Sequence, residues 1–149
     1  MLFKDCLCFQ IGKVSRKMAK VTRDAVSPYG LTTTQFFLLT ALYEEEDISI
    51  SALAQKVVLD KATLTGLVDR LERDGFVTRQ VSPEDRRSIR VRLTPKAERL
   101  RETLTELYHR INRRFLSFLT EEERKTFEQV VSKIENAELG KGEQTKMNP

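Results

Sequence analysis

Two groups of residues in this chain have types and spacings that could do chemistry. One is the cysteine pair Cys6 and Cys8; the other is a run of arginines, Arg86, Arg87, Arg90 and Arg92, downstream of the threonine-rich segment Lys61 to Gly66. A cysteine sulfur can act as nucleophile, redox centre or metal ligand, and the positive end of a helix favours the thiolate, the form that oxidants attack. The single histidine, His109, is far from both cysteines in sequence, so Cys and His together do not make a full metal-binding set in any usual spacing. No nucleophile motif stands near His109, which leaves a Ser-His or Cys-His catalytic pair, or a thiol peroxidase built on Cys8, without a supporting constellation. The expectation is a protein that is not an enzyme and has no cofactor and no metal. Within one helix, residues two apart point to nearly opposite sides, so Cys6 and Cys8 are poorly placed to bridge each other. The plainer reading makes them small, semi-apolar helix residues; the alternative is redox sensing, in which Cys8 forms a sulfenate, a mixed disulfide or an intersubunit bond.

The arginines and threonines point to nucleic acid. Winding the segment from Asp60 to Asp74 as a helix with Leu64, Leu67, Val68 and Leu71 inward turns Ala62, Gly66, Asp69 and Arg73 outward, with Thr63, Thr65 and Arg70 on the flanks. Small side chains on the outward N-terminal half suit a helix that enters the major groove, where threonine hydroxyls and methyls meet base edges and Lys61 reaches a guanine or a phosphate. An ordinary surface helix with small exposed residues would look the same. Asp69 conflicts with a DNA-facing role unless Arg70 or Arg73 neutralises it. Beyond this helix, Arg86 and Arg87 fall at the tip of a predicted hairpin, and Arg90 and Arg92 on one face of its returning strand. Arginine in a narrow minor groove gains from the negative potential there, and Asp85 could fix the direction of Arg87. A solvated charged hairpin is the plainer alternative.

These residues need a scaffold, and the apolar periodicity supplies one. Leu7, Ile11, Val14, Met18, Val21 and Ala25 form one stripe of a long first helix. Thr32 with Gln35 opens a second helix through Tyr43 as a capping box, and Ser49 or Ser51 caps a short third. Asp60 caps the fourth, which ends at about Asp74, with Gly75 in the left-handed position and Phe76 returning to Leu71. Phe76–Val81 and Ile89–Leu93 then read as a β-hairpin, and Thr94-Pro95 opens a fifth helix with the stripe Ala97, Leu100, Leu104, Leu107, Ile111 and on toward Phe115 and Phe118. Thr120 with Glu123 opens the last helix, whose apolar face is Phe127, Val130, Val131 and Ile134. The fold class expected is mainly α with a small β-hairpin wing: a winged helix-turn-helix flanked by long dimerisation helices. The expected divisions are residues 1–30, 31–94, 95–139 and a disordered tail at 140–149. The stripes at Leu7 to Ala25 and Leu100 to Ile111 each predict a partner surface.

Composition agrees. The chain has 149 residues, 40% of them hydrophobic and 32% charged, with a formal net charge of +4, so one domain with an aliphatic core and a preference for polyanions is expected. No apolar run approaches the roughly 20 residues of a membrane span, and the expected location is cytoplasmic.

The stretch ISALAQKVVLDKATLTGLVDRLERDGFVTRQVSPEDRRSIRVRLTPKA, Ile50 to Ala97, closely resembles the winged-helix core of the MarR family. LDKATLTGLVDRLERDGFV corresponds to recognition helix and exit, and DRRSIRVRLTPKA to the wing and the start of the long helix; Ala97 stands where members usually carry glycine. The resemblance implies a homodimer with interleaved first, fifth and last helices that binds pseudo-palindromic operators in double-stranded DNA and usually represses. It implies base reading by Lys61, Ala62, Thr63, Thr65 and Gly66, and a minor-groove arginine at Arg87 braced by Asp85. Two such helices in a two-fold dimer would address half-sites about one helical turn apart. The start LCFQIGKVSRKM, Leu7 to Met18, is similar to the organic-hydroperoxide-sensing subgroup, with Cys8 as the reactive cysteine, although Gly12 and Thr22 stand where that subgroup carries tyrosines. Other relatives bind small aromatic acids or phenols, so the effector stays open between an oxidant and a small aromatic ligand. A winged-helix protein-interaction module and a non-specific architectural DNA binder are the competing readings.

Overall fold

The computed structural model describes residues 3–83 and 88–137. Its elements are α1 (Leu7–Val26), α2 (Thr33–Glu44), β1 (Ile48–Ser49), α3 (Ile50–Lys56), α4 (Lys61–Arg73), β2 (Val77–Val81), β3 (Ile89–Leu93), α5 (Pro95–Glu98), α6 (Arg101–Leu116) and α7 (Glu121–Glu135). Five helices begin where a side-chain oxygen takes up N–H groups that the first turn leaves free. Thr32 with Gln35 and Thr120 with Glu123 form complete capping boxes, and Ser49, Asp60 and Thr94 each accept from the backbone three residues on. At the other end of α4, Gly75 takes φ 75°. The Phe76 N–H donates to the Leu71 carbonyl at 2.8 Å and the Gly75 N–H to the Glu72 carbonyl at 2.9 Å, the pair of bonds that defines a Schellman stop.

The described residues divide into two compact units between Asn112 and Arg113. In the first, one apolar core gathers Leu38, Leu39 and Leu42 of α2, Leu53 of α3, Leu64, Val68 and Leu71 of α4, Val77 and Val91 of the sheet, and Leu104 of α6. The sheet is antiparallel in the order β1-β3-β2, with Val91 of β3 facing Ile48 on one side and Arg79 on the other. The second unit carries α7, whose Phe127, Val130 and Ile134 are exposed.

Three features differ from the sequence expectation. The sheet has a third strand, β1, only two residues long and too short for a periodicity to register. The long fifth helix is broken into α5 and α6 by a turn at residues 99–100. There the Ala97 carbonyl accepts both the Leu100 N–H at 3.0 Å and the Tyr43 hydroxyl at 2.8 Å, which tightens the chain locally. The stripe Leu100 to Ile111 is covered within the chain, since Leu104 and Leu107 are buried and Leu100 and Ile111 pack against the core. The α1 stripe behaves otherwise. Thr22 and Val26 are buried at its C-terminal end, while Leu7, Ile11, Val14 and Met18 are all at least 40% exposed.

The α3–α4 turn holds a second Schellman stop, in which the Leu59 N–H donates to the Ala54 carbonyl and the Val58 N–H to the Gln55 carbonyl. Its left-handed position is occupied by Val58, at φ 54° and 88% exposed. A β-branched residue is strained there, and no burial compensates it. The Val58→Gly variant is therefore expected to gain about 1 kcal/mol in urea unfolding, after the greater chain entropy of glycine is set against the relieved strain. Equal or lower stability would mean that Val58 bears no strain.

Candidate nucleic-acid interface

Burial of Leu64, Val68 and Leu71 fixes which way α4 faces. Lys61, Ala62, Thr63, Gly66, Asp69, Arg70 and Arg73 are exposed as a result, and Thr65 is half-buried. Nothing lies within 4 Å of the position a Cβ on Gly66 would take, so this surface is open. The Thr63 hydroxyl donates to Asp60 Oδ2 at 2.5 Å, and the Thr65 hydroxyl donates to the Lys61 carbonyl at 2.7 Å. Both hydroxyl protons are thus used within the helix. What the threonines can offer a base edge is acceptor lone pairs and methyl groups, which match the amino groups of adenine and cytosine and the thymine methyl. The hydrogen bond from the Thr63 hydroxyl, followed by that from its backbone N–H, holds the Asp60 carboxyl below its usual range and keeps the cap ionised.

Among the described residues, no carboxylate forms an ion pair with Lys61 or Arg70, so both cations are available to a polyanion. Arg90 and Arg92 are committed within the fold. Arg90 donates through Nε to Asp47 Oδ1 at 2.9 Å and also reaches the Asp47 carbonyl, while Arg92 donates to Asp47 Oδ2 at 2.7 Å. Arg90 therefore braces β3 against the loop after α2 instead of standing free on the wing, a departure from the sequence expectation. The reason is topological: β3 is the central strand, and β1 brings Asp47 alongside it. Asp85, Arg86 and Arg87 lie outside the described residues.

Asp69 is neutralised by Arg79 on β2, at 2.6 Å, and not by Arg70 or Arg73. Arg79 also pairs with Glu72 at 2.8 Å and donates to the Thr65 carbonyl at 3.2 Å. The sequence carried one signal for this residue. Val77 and Arg79 share a strand face, so the alternation that buries Val77 also turns Arg79 inward, where an arginine needs carboxylate partners. A second cluster was illegible in sequence because it joins distant segments. Arg101 donates to the Tyr43 carbonyl and to Glu98 and Glu46, and it lies over the Tyr43 ring. Burial pushes the Tyr43 hydroxyl up to about 12, so it stays protonated as the donor to Ala97.

Cys6 is the half-buried N-cap of α1, and Cys8 is exposed in its first turn; both are free thiols. His109 is exposed, with its ring edge-on to Tyr108. Among the described residues, no cluster of three or more His, Cys, Asp or Glu is placed to hold a metal ion, and no helix is long and apolar enough to cross a membrane.

An exposed second helix after a tight turn, with an antiparallel wing beside it, defines a winged helix-turn-helix DNA-binding protein. The MarR family profile matches residues 31–89. The chain is 31% identical over 107 residues to an organic hydroperoxide resistance transcriptional regulator of Bacillus subtilis, covering 72% of this chain and 73% of that one. It is 36% identical over 115 residues to a second Bacillus subtilis protein, the HTH-type transcriptional regulator YsmB, covering 76% and 78%. Among solved structures it is similar to a MarR mutant from E. coli complexed with operator DNA, with 27% identity, a TM-score of 0.79, and coverage of 86% of this chain and 92% of that chain. The chain belongs to the MarR family. It is a DNA-binding transcriptional regulator, in a family of regulators and not of enzymes.

The Asp47 hub gives a pH signature. Hydrogen bonds from Arg92 and then Arg90 hold the Asp47 carboxyl well below the usual range. A carboxyl with a depressed folded-state pKa contributes stability that is present above its unfolded value and lost as pH falls through the folded one. In urea unfolding, wild type should be more stable than Asp47→Asn at neutral pH, with the gap narrowing once pH falls below about 4. A gap unchanged at low pH would mean that shape, not charge, holds the hub.

Proposed function

We propose that the chain is a homodimeric repressor that binds a pseudo-palindromic operator in double-stranded DNA and is released by an oxidant or a small aromatic ligand. The observation that carries the DNA part is the outward face of α4. Its inward stripe and both ends are committed to the fold, while Lys61, Ala62, Gly66 and Arg70 and the acceptor sides of Thr63 and Thr65 are left with no structural duty. In this reading those residues meet the major groove, and Arg86 and Arg87, with Asp85 bracing Arg87, extend the grip into the minor groove. Arg90 acts indirectly, by holding β3 through Asp47. The exposed row Leu7, Ile11, Val14 and Met18 on α1 supports dimerisation, since an apolar stripe of that length is stable only when a second surface covers it.

Of the two signals, the exposure of Cys8 in the first turn of α1 favours the oxidant, in line with the hydroperoxide resistance regulator among the relatives. The Cys8 thiolate attacks the distal oxygen of a hydroperoxide, the O–O bond breaks, and the alkoxide leaves and takes up a proton, giving sulfenate and alcohol.

Binding to a duplex from the chain's own upstream region is expected to be stronger than to a scrambled duplex and to weaken steeply with salt. Arg87→Ala should lower the log–log salt slope by about 2, one for each protomer of the dimer. Equal binding to both duplexes would favour an architectural role, and no binding would favour a protein-interaction module. Ile11→Asp with Val14→Asp should shift sedimentation from dimer to monomer and abolish specific binding; a dimer that survives them overturns the α1 interface. Peroxide should release wild type from DNA and leave Cys8→Ser bound. Equal release of both would exclude Cys8 as the sensor.

A further inference from the structure

One edge of α4 is built differently from the rest of its exposed surface. Thr65, Asp69 and Glu72, spaced four and three apart, lie one above another along the side of the helix next to β2. The guanidinium of Arg79 spans all three, at 2.6 Å from Asp69, 2.8 Å from Glu72 and 3.2 Å from the Thr65 carbonyl, and its backbone N–H donates to Glu72 Oε1 at 3.0 Å. The arginine side chain is only 21% exposed, whereas that of Asp69 is 59% exposed, so the carboxylate stands outside and the cation behind it. Asp69 shares the outward face with Ala62 and Gly66. Unpaired, it would place a negative charge, with Glu72 beside it, on the face that the proposed function turns toward the polyanionic duplex.

We propose that Arg79 is a positioning residue for DNA binding. It cancels the two carboxylates on the recognition helix and fixes β2 to the middle of that helix, without touching DNA itself. The inference rests on the reading of α4 as the DNA-facing helix. Its content is electrostatic as well as mechanical: Asp69 and Glu72 hold the base of the wing to α4, and they are compatible with a polyanion only while Arg79 stays between them. The fork of a guanidinium can serve two carboxylates and a carbonyl together, which an ammonium on a flexible stem does less well.

The test uses the full-length protein, a labelled duplex selected by wild type from a random pool, and circular dichroism to check the fold of each variant. Arg79→Ala is expected to weaken binding about tenfold at low salt, with the loss shrinking between about 0.05 M and 0.3 M salt as repulsion is screened. Adding Asp69→Asn and Glu72→Gln to Arg79→Ala should restore affinity to within about threefold of wild type, because the charges needing cancellation are gone. A triple variant that is folded and as weak as Arg79→Ala would overturn the proposal, since Arg79 would then act only through the fold or by its own contact with DNA. If Arg79→Ala does not fold, the Asp69→Asn/Glu72→Gln variant with Arg79 in place decides: binding at least as tight as wild type supports the masking role, and weaker binding overturns it. A wild type that selects no duplex from the pool removes the DNA-binding reading and this proposal with it, an outcome distinct from a bound wild type matched by an equally bound Arg79→Ala.

Discussion

The constraint on which the rest depends is that α4 can sit in only one rotation. Leu64, Val68 and Leu71 are fully buried, Asp60 holds the first turn, and the Schellman bonds at Gly75 and Phe76 hold the last. Rotating the helix by even a third of a turn would expose leucine and bury Asp69 or Arg70, at a cost of several kcal/mol. The direction of the small outward residues is therefore a consequence of the core. A surface built this way is presented on a rigid element, with little ordering left to be done when a partner binds.

The same core decides which charges remain available. Of the cations close to α4 in sequence or space, Arg79, Arg90 and Arg92 are taken up by Asp47, Asp69 and Glu72, while Lys61 and Arg70 remain open to a partner. The paired arginines stiffen the joints between α2, α4 and the sheet, and Arg101 does the same between α2 and α6 through Tyr43 and Glu46. Each of these bridges is partly exposed, and exposed pairs taken singly add little to stability. Their value is geometric, since they hold the wing at a fixed offset from the helix beside it.

Elements whose determinants are local in the chain were legible from sequence. The capping pairs at Thr32 and Thr120, the proline start after Thr94 and the glycine stop at Gly75 all depend on residues within a few positions of one another, and the structure places them as the sequence indicates. What escaped depends on distant partners. The two-residue strand β1 exists only because Val91 offers it a ladder, and the α5–α6 break reflects a Tyr43 hydroxyl more than fifty residues upstream. The roles of Arg79 and Arg90 were set by carboxylates on other elements, so a reading that grouped arginines by sequence proximity counted Arg90 as free when it is not. The stop at Val58 was also hidden, because the left-handed position there lacks the glycine that usually marks it.

The most direct test of the central claim is the alkylation rate of a cysteine placed on the outward face, Ala62→Cys, in a background with Cys6→Ser and Cys8→Ser, with and without a bound duplex. The account predicts that a maleimide reacts rapidly with the free protein and at least about tenfold more slowly when DNA is bound, because the first turn of a recognition helix lies within the groove. A rate unchanged by DNA, under conditions where binding is demonstrably complete, would contradict it and move the nucleic-acid surface elsewhere on the molecule.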